Sequence, residues 1–212
     1  MLKRIIIAVI LVIALSCTCL AHPGKLDSKG GHVDKETGEY HYHKGPNALE
    51  SLEIRRNTLY KAKIERVVDG DTAIVSFIFP DGKRYQKQRV RFLGVNTPET
   101  VHPNKPVEYY GKEASNFTKS QLANKTVWLQ TDVSALDRYD RMLAYVWLEE
   151  PSKGEMDNDE VAIRTKMFNA KLLLDGYAQV MTVQPNSRYS EIFVRFQREA
   201  REGKKGLWAD EK

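Results

Sequence analysis

From residue 57 onward, apolar and polar positions alternate in short runs, the period-two pattern of half-buried strands. Leu59–Val68, Thr72–Phe79 and Lys83–Val95 are rich in β-branched and aromatic residues and predict three strands, with Pro80-Asp81-Gly82 as a hairpin turn. The period then lengthens. Val107–Asn124 predicts a helix that carries Tyr110, Ala114, Phe117 and Gln121 on one stripe. Thr126–Gln130 and Met142–Leu148 predict the last two strands, and residues 149–160 read as an acidic loop. Two helices follow. Ile163, Met167, Ala170 and Leu174 keep helical spacing up to a stop at Gly176; Ile192, Phe193, Phe196 and Ala200 mark the second, closed by Gly203. Five strands with a helix between the third and fourth predict a small OB-type β-barrel with helices, an α+β domain over residues 57–210.

The amino-terminal part has a different texture. Lys3 and Arg4 precede eleven apolar residues, Ile5 to Leu15, too short a run to span a bilayer. Residues 1–21 are expected to be a signal peptide cleaved before His22, giving a secreted or periplasmic chain without a transmembrane helix; lipid anchoring at Cys17 is the alternative. Both cysteines, Cys17 and Cys19, lie in this segment, so residues 22–212 fold without a disulfide. The formal charge of +5 falls to +3 without Lys3 and Arg4. That excludes global electrostatic steering of nucleic acid, and any attraction must come from local clusters. Residues 22–56 form a His-rich leader holding four of the five histidines. His32, Asp34, His41 and His43 are candidate ligands for Zn²⁺ or another transition metal; a polar leader without a ligand is the alternative.

Three segments of the barrel region carry candidate chemistry. Asp69 and Asp71 flank Gly70 at a strand–turn junction, where two carboxylates held together repel unless a cation relieves them. Hard oxygen donors suit Ca²⁺ or Mg²⁺, although Asp-Gly is also an ordinary hairpin turn. Lys87, Arg89 and Arg91 alternate with Gln88, Val90 and Phe92, which puts three cations on one strand face for phosphate contact or for solvent. In Asn96-Thr97-Pro98-Glu99 the proline holds Thr97 extended, so that its carbonyl can face a cation while Glu99 sits on a stiff segment as a general base. Arg141 precedes the apolar strand Met142–Leu148 and reads alone as a surface arginine. Unrelated turns and surface charges do not supply ligands, a base and two arginines in one order.

These residues also resemble a known family. Asp69-Gly70-Asp71-Thr72, Thr97-Pro98-Glu99-Thr100, His102-Pro103 with Val107-Glu108-Tyr109-Tyr110-Gly111-Lys112-Glu113-Ala114, Arg138-Tyr139-Asp140-Arg141 and Gly206-Leu207-Trp208 are similar to the staphylococcal nuclease, or thermonuclease, family over Tyr60 to Trp208. The resemblance implies a five-stranded OB-barrel with three helices and Ca²⁺-dependent cleavage of DNA and RNA to 5′-hydroxyl and 3′-phosphate ends, by a monomer. It implies Ca²⁺ held by Asp71, Asn96 and the Thr97 carbonyl with Asp69 close by, Glu99 acting on the attacking water, and Arg91 and Arg141 on the phosphate. Lys87, Arg89, Tyr139 and Tyr189 are candidate substrate contacts. Two departures stand out. Asn96 replaces an aspartate, removing one charge from the cation site, and Val180–Pro185 lacks the family's stacking tyrosines, so Tyr139 or Tyr189 is expected to substitute. The leader resembles a short His-Tyr module found beside secreted nuclease domains. A non-hydrolytic OB-fold module that binds nucleic acid or protein at the cell envelope is the rival reading.

Overall fold

The computed structural model describes residues 27–28, 31–33, 40–42, 53–79, 87–100 and 106–209. The chain divides into two compact units, Met1–Leu49 and Glu50–Lys212. In the first, β1 (Gly31–Val33) pairs antiparallel with β2 (Tyr40–Tyr42), and His32 lies opposite His41 in the register. Asp34 and His43 lie outside the described residues, as do the expected signal peptide, the Pro80-Asp81-Gly82 turn and His102-Pro103.

The second unit is built on a closed five-stranded barrel. Its strands are β3 (Leu59–Asp69), β4 (Thr72–Phe77), β5 (Gln88–Phe92), then β7 (Thr126–Gln130) and β8 (Met142–Trp147), in the spatial order β3-β4-β5-β8-β7. All neighbours are antiparallel except β5 and β8, which run parallel with Arg91 beside Leu143. Tyr60, Ala62 and Ile64 of β3 point inward while Lys61 and Lys63 face out. Between Ile64 and Arg66 the register with β4 slips at a bulge, and the inward parity changes to Val67 and Asp69. A second slip between Val67 and Asp69 tightens the turn into β4.

The structure shortens or splits several predicted elements. The strand expected over Lys83–Val95 is two: β5 ends at Phe92, and β6 (Gly94–Asn96) leaves the barrel to pair with β9 (Gln179–Met181). The break falls at Gly94, whose φ of +75° and whose approach to the Phe193 ring, 2.5 Å from where a Cβ would sit, admit only glycine. α1 (Gly111–Leu122) starts later than predicted because Tyr110 takes a left-handed conformation at its amino end. The acidic loop holds α2 (Lys153–Met156), opened by a capping box between Ser152 and Glu155. The helix expected from Ile163 to Leu174 breaks at Met167, which turns extended to bridge Trp147 of β8, giving α3 (Glu160–Lys166) and α4 (Phe168–Leu174). α5 (Ser190–Glu202) buries Ile192, Phe193, Phe196 and Ala200 and ends at Gly203, as its spacing predicts. Five α-helices are thus present among the described residues where three were expected. None is long and apolar enough to cross a membrane.

One apolar cluster joins the barrel interior to α4 and α5. Buried Asn169 of α4 ties it to the strands: its Nδ2 donates to the Leu93 carbonyl and its Oδ1 accepts from the Val146 amide, both at 2.8 Å. A polar group at 0% exposure is tolerated because donor and acceptor are both used.

Candidate active site

Where β3, β5 and β6 converge on the loop before β8, a polar cavity of about 260 Å³ opens. Asp69, Asp71, Arg89, Arg91, Asn96, Thr97, Glu99 and Arg141 all line it, with Val68, Thr72 and Glu108. A larger, open depression of about 750 Å³ between residues 53–58 and 133–136 holds no comparable set of acids and bases.

Asp69 closes β3 at 6% exposure. Its Oδ1 accepts from the Gly70 amide at 2.8 Å and the Thr100 hydroxyl at 2.6 Å. Burial pushes its pKa up to about 6, with Asp71's charge adding to the effect. Gly70 permits the turn by its lack of a side chain, since a Cβ there would meet the Thr97 hydroxyl at 2.6 Å. Asp71 is more fully engaged. Its Oδ2 accepts from the Thr97 amide at 2.9 Å and pairs with Arg91 Nη2 at 3.1 Å, and its Oδ1 accepts from the Thr72 hydroxyl at 3.0 Å.

Arg91 is locked from behind. Nη1 donates to the Phe92 and Val95 carbonyls at 2.7 and 2.8 Å, and Nη2 to Asn96 Oδ1 at 3.1 Å. Burial acts to lower its pKa, and Asp71 opposes that effect, so the guanidinium keeps its charge in the cavity. Arg141 is held by Asp137, whose carboxylate accepts from Arg141 Nε at 2.7 Å and from its amide at 3.0 Å. This leaves the two terminal nitrogens of Arg141 outside the clamp. Glu99 is fixed by its backbone: its amide donates to Glu108 Oε2 and its carbonyl accepts from the Glu108 amide, both at 3.0 Å.

The other candidates divide. Arg89 lines the cavity, and Lys87, at the outer end of β5, does not. Tyr139 is 63% exposed, with the Arg138 and Arg141 guanidinium carbons 4.7 and 5.5 Å from its ring centre. Tyr189 corrects the expectation of a base-stacking ring. It is fully buried, packs edge-on against Tyr145 at 4.6 Å, and donates its hydroxyl to Gln130 Oε1 and the Met156 carbonyl. Three groups escape sequence reasoning: Asp137, Glu108 and Thr100. Asp137 carries a faint signal, four residues before Arg141. Glu108 and Thr100 stand inside the motifs that carry the family resemblance, but nothing in the sequence marks their hydrogen bonds, which depend on how residues 97–100 fold.

The donors are hard oxygens: two carboxylates, an amide oxygen and the Thr97 main chain, beside a buried Thr97 hydroxyl with no hydrogen-bond partner. Among the described residues no three His, Cys, Asp or Glu side chains group as a metal centre. Calcium accepts such a set, and the residues fit it.

A small closed barrel that gathers acids, a glutamate and two arginines at the ends of its strands defines a class, that of barrel nucleases. Residues 89–210 match the family described as staphylococcal nuclease homologue, and the chain belongs to this family. It is 44% identical over 166 residues to the thermonuclease of Staphylococcus hyicus, covering 78% of this chain and 85% of that protein. The thermonuclease of Staphylococcus intermedius is 40% identical over 164 residues, 77% of this chain and 83% of its own length. Endonuclease YncB of Bacillus subtilis is 30% identical over an alignment of 221 positions that takes in 98% of this chain and 93% of its own. The chain is a nuclease, and nucleic acid is its substrate class.

Proposed function

We propose that the chain is an exported, calcium-dependent endonuclease that hydrolyses DNA and RNA to 5′-hydroxyl and 3′-phosphate ends. The observation that carries the reading is the meeting of Arg91, Glu99 and Arg141 around Asp69 and Asp71 in one cavity. Asp71, Asn96 and the Thr97 carbonyl would hold the Ca²⁺, with Asp69 beside them. When bound, Ca²⁺ would supply positive charge to the site and lower the pKa of its water. Glu99, held through its backbone, orients the attacking water and takes its proton. Arg91 and Arg141 bind the non-bridging phosphate oxygens and stabilise the charge that builds as phosphorus becomes five-coordinate. Asp71 and Asp137 keep those two guanidinium groups aimed before substrate arrives. Tyr139 and Arg89 extend the contact surface for the nucleotide and its neighbouring phosphates.

Export rests on the basic and apolar run Lys3 to Leu15, and a monomer on a core complete within one chain. Linear DNA incubated with the purified chain, with Ca²⁺ or with chelator, tests the central claim; cleavage should need Ca²⁺ and leave 3′-phosphates. Equal cleavage in chelator, or none with Ca²⁺, overturns it. The first residue of the chain recovered from the producing cell decides export.

A further inference from the structure

The methionines of the barrel unit differ sharply in accessibility. Met142 and Met167 are fully buried, and Met156 is partly buried against the core. Met181, on β9, is 45% exposed, and its cross-strand partner is Gly94, which contributes no side chain to cover it. Its Sδ lies 3.9 Å from Nη2 of Arg91, the nitrogen that also faces Asp71 and Asn96. β9 is held in place by the β6 pairing and by Gln197 of α5, whose Oε1 accepts from the Val180 amide at 2.6 Å. The thioether is thus kept at the rim of the cavity, where solvent reaches it and the arginine is one contact away.

We propose that Met181 is a site of oxidative modification that turns the nuclease down. Hydrogen peroxide is the oxidant. The sulphur lone pair attacks one peroxide oxygen, the O–O bond breaks and an S–O bond forms. Sulphur loses two electrons, and the other peroxide oxygen leaves as water after taking the proton. The product is a sulfoxide, a strong hydrogen-bond acceptor in place of a weak one. Its oxygen projects from a sulphur already in contact with Arg91, and reaches Nη2 at hydrogen-bond distance. Arg91 Nη1 is committed to two backbone carbonyls and Nη2 already serves Asp71 and Asn96, so the sulfoxide oxygen adds a further competitor to a phosphate for Nη2. This rests on the reading of Arg91 as a phosphate-binding group.

The test treats the full chain with graded hydrogen peroxide, maps sulfoxide at each methionine by peptide mass spectrometry, and follows Ca²⁺-dependent cleavage of a labelled oligonucleotide. Met181 should oxidise about tenfold faster than Met142 and Met167, with activity falling about fivefold or more in step with it. M181L should keep most of its own untreated activity. Oxidation of Met181 no faster than that of the buried methionines overturns the proposal. So does complete oxidation with activity unchanged, or inactivation of M181L as fast as the unmodified sequence. If the untreated chain cuts no DNA, the functional reading fails on its own. The proposal is then decided by mapping and oligonucleotide affinity, which oxidation weakens if it is right and leaves unchanged if it is wrong.

Discussion

Arg141 illustrates how much of the site lies in groups that touch no substrate. Its terminal nitrogens are aimed by the two-point clamp of Asp137. Removing Arg141 or neutralising Glu99 should lower kcat by about 10²–10³ while circular dichroism stays unchanged. Asp137→Asn keeps the shape but weakens the charge-assisted bond, and should cost about tenfold in kcat with the fold intact. Asn96→Asp restores a second anionic oxygen beside Asp71 and should tighten Ca²⁺ in calorimetric titration; an unchanged affinity removes Asn96 from the ligand set. Asp69 makes a pH prediction. Its pKa in the fold, about 6, lies above the ordinary 3.8, so the folded chain holds this proton more tightly than the unfolded one. Its contribution to stability therefore falls as pH rises from about 4 to about 6, in calcium-free buffer. Asp69→Asn should flatten that part of the urea-unfolding profile relative to the unmodified sequence. Asp69 and Asp71 flank one turn and Asn96, Thr97 and Glu99 share one segment, so each group of neighbours is legible locally. The meeting of the two groups, 26 residues apart at Asp71 and Thr97, is legible only through the order of the motifs and the family resemblance. Tyr189 is not legible, since polar neighbours Arg188 and Ser190 suggest a surface ring while its partners Gln130 and Met156 stand far away in the chain.

At the scale of elements, alternation and helical spacing locate the five barrel strands and the stretches that become α1, α3, α4 and α5; they miss β1, β2, β9 and α2, and they err where a long-range contact interrupts a local pattern. The run Ile163 to Leu174 is a continuous helical stripe, yet Met167 gives up its helical conformation to bridge Trp147. Lys87 to Phe92 alternates, yet the strand does not run on to Val95: the chain leaves the barrel at Gly94, where a left-handed φ and the close Phe193 ring require glycine. Gly94→Ala should therefore destabilise the fold by several kcal/mol, because it combines a left-handed φ with a clash against a buried ring. A fall in the midpoint of thermal unfolding by only a degree or two would contradict this. Asn169 works between elements. Asn169→Ala leaves the Val146 amide and the Leu93 carbonyl without buried partners, at a cost of about 2–4 kcal/mol in urea titration.

Over the whole barrel unit, one core cluster runs from the strands through α4 to α5 without a seam. Unfolding of this unit should be a single cooperative transition, with fluorescence from buried Trp147 and far-UV circular dichroism tracing the same curve. Residues 22–212 contain no cysteine, so reductant should leave that curve in place. Barrel closure was legible in the count and order of strands. The parallel meeting of β5 and β8 was not, because pairing between distant strands leaves no local mark.

The slip in β3 at Glu65 has a consequence that reaches beyond the strand. Lys61 and Lys63 face solvent at odd positions, and Asp69, also at an odd position, faces the cavity. One supernumerary residue is all that reverses the sense. The inward aim of Asp69 at an odd position therefore depends on a count as well as on chemistry. Loss of a single codon at Glu65, which lines no part of the cavity, would only remove the extra residue: Ile64 and Arg66 would follow in regular alternation against Val75 and Ile74, and Asp69 would keep its inward sense. Among relatives of this chain, a one-residue difference in length at this point is thus compatible with an unchanged cavity, because the bulge takes up the difference.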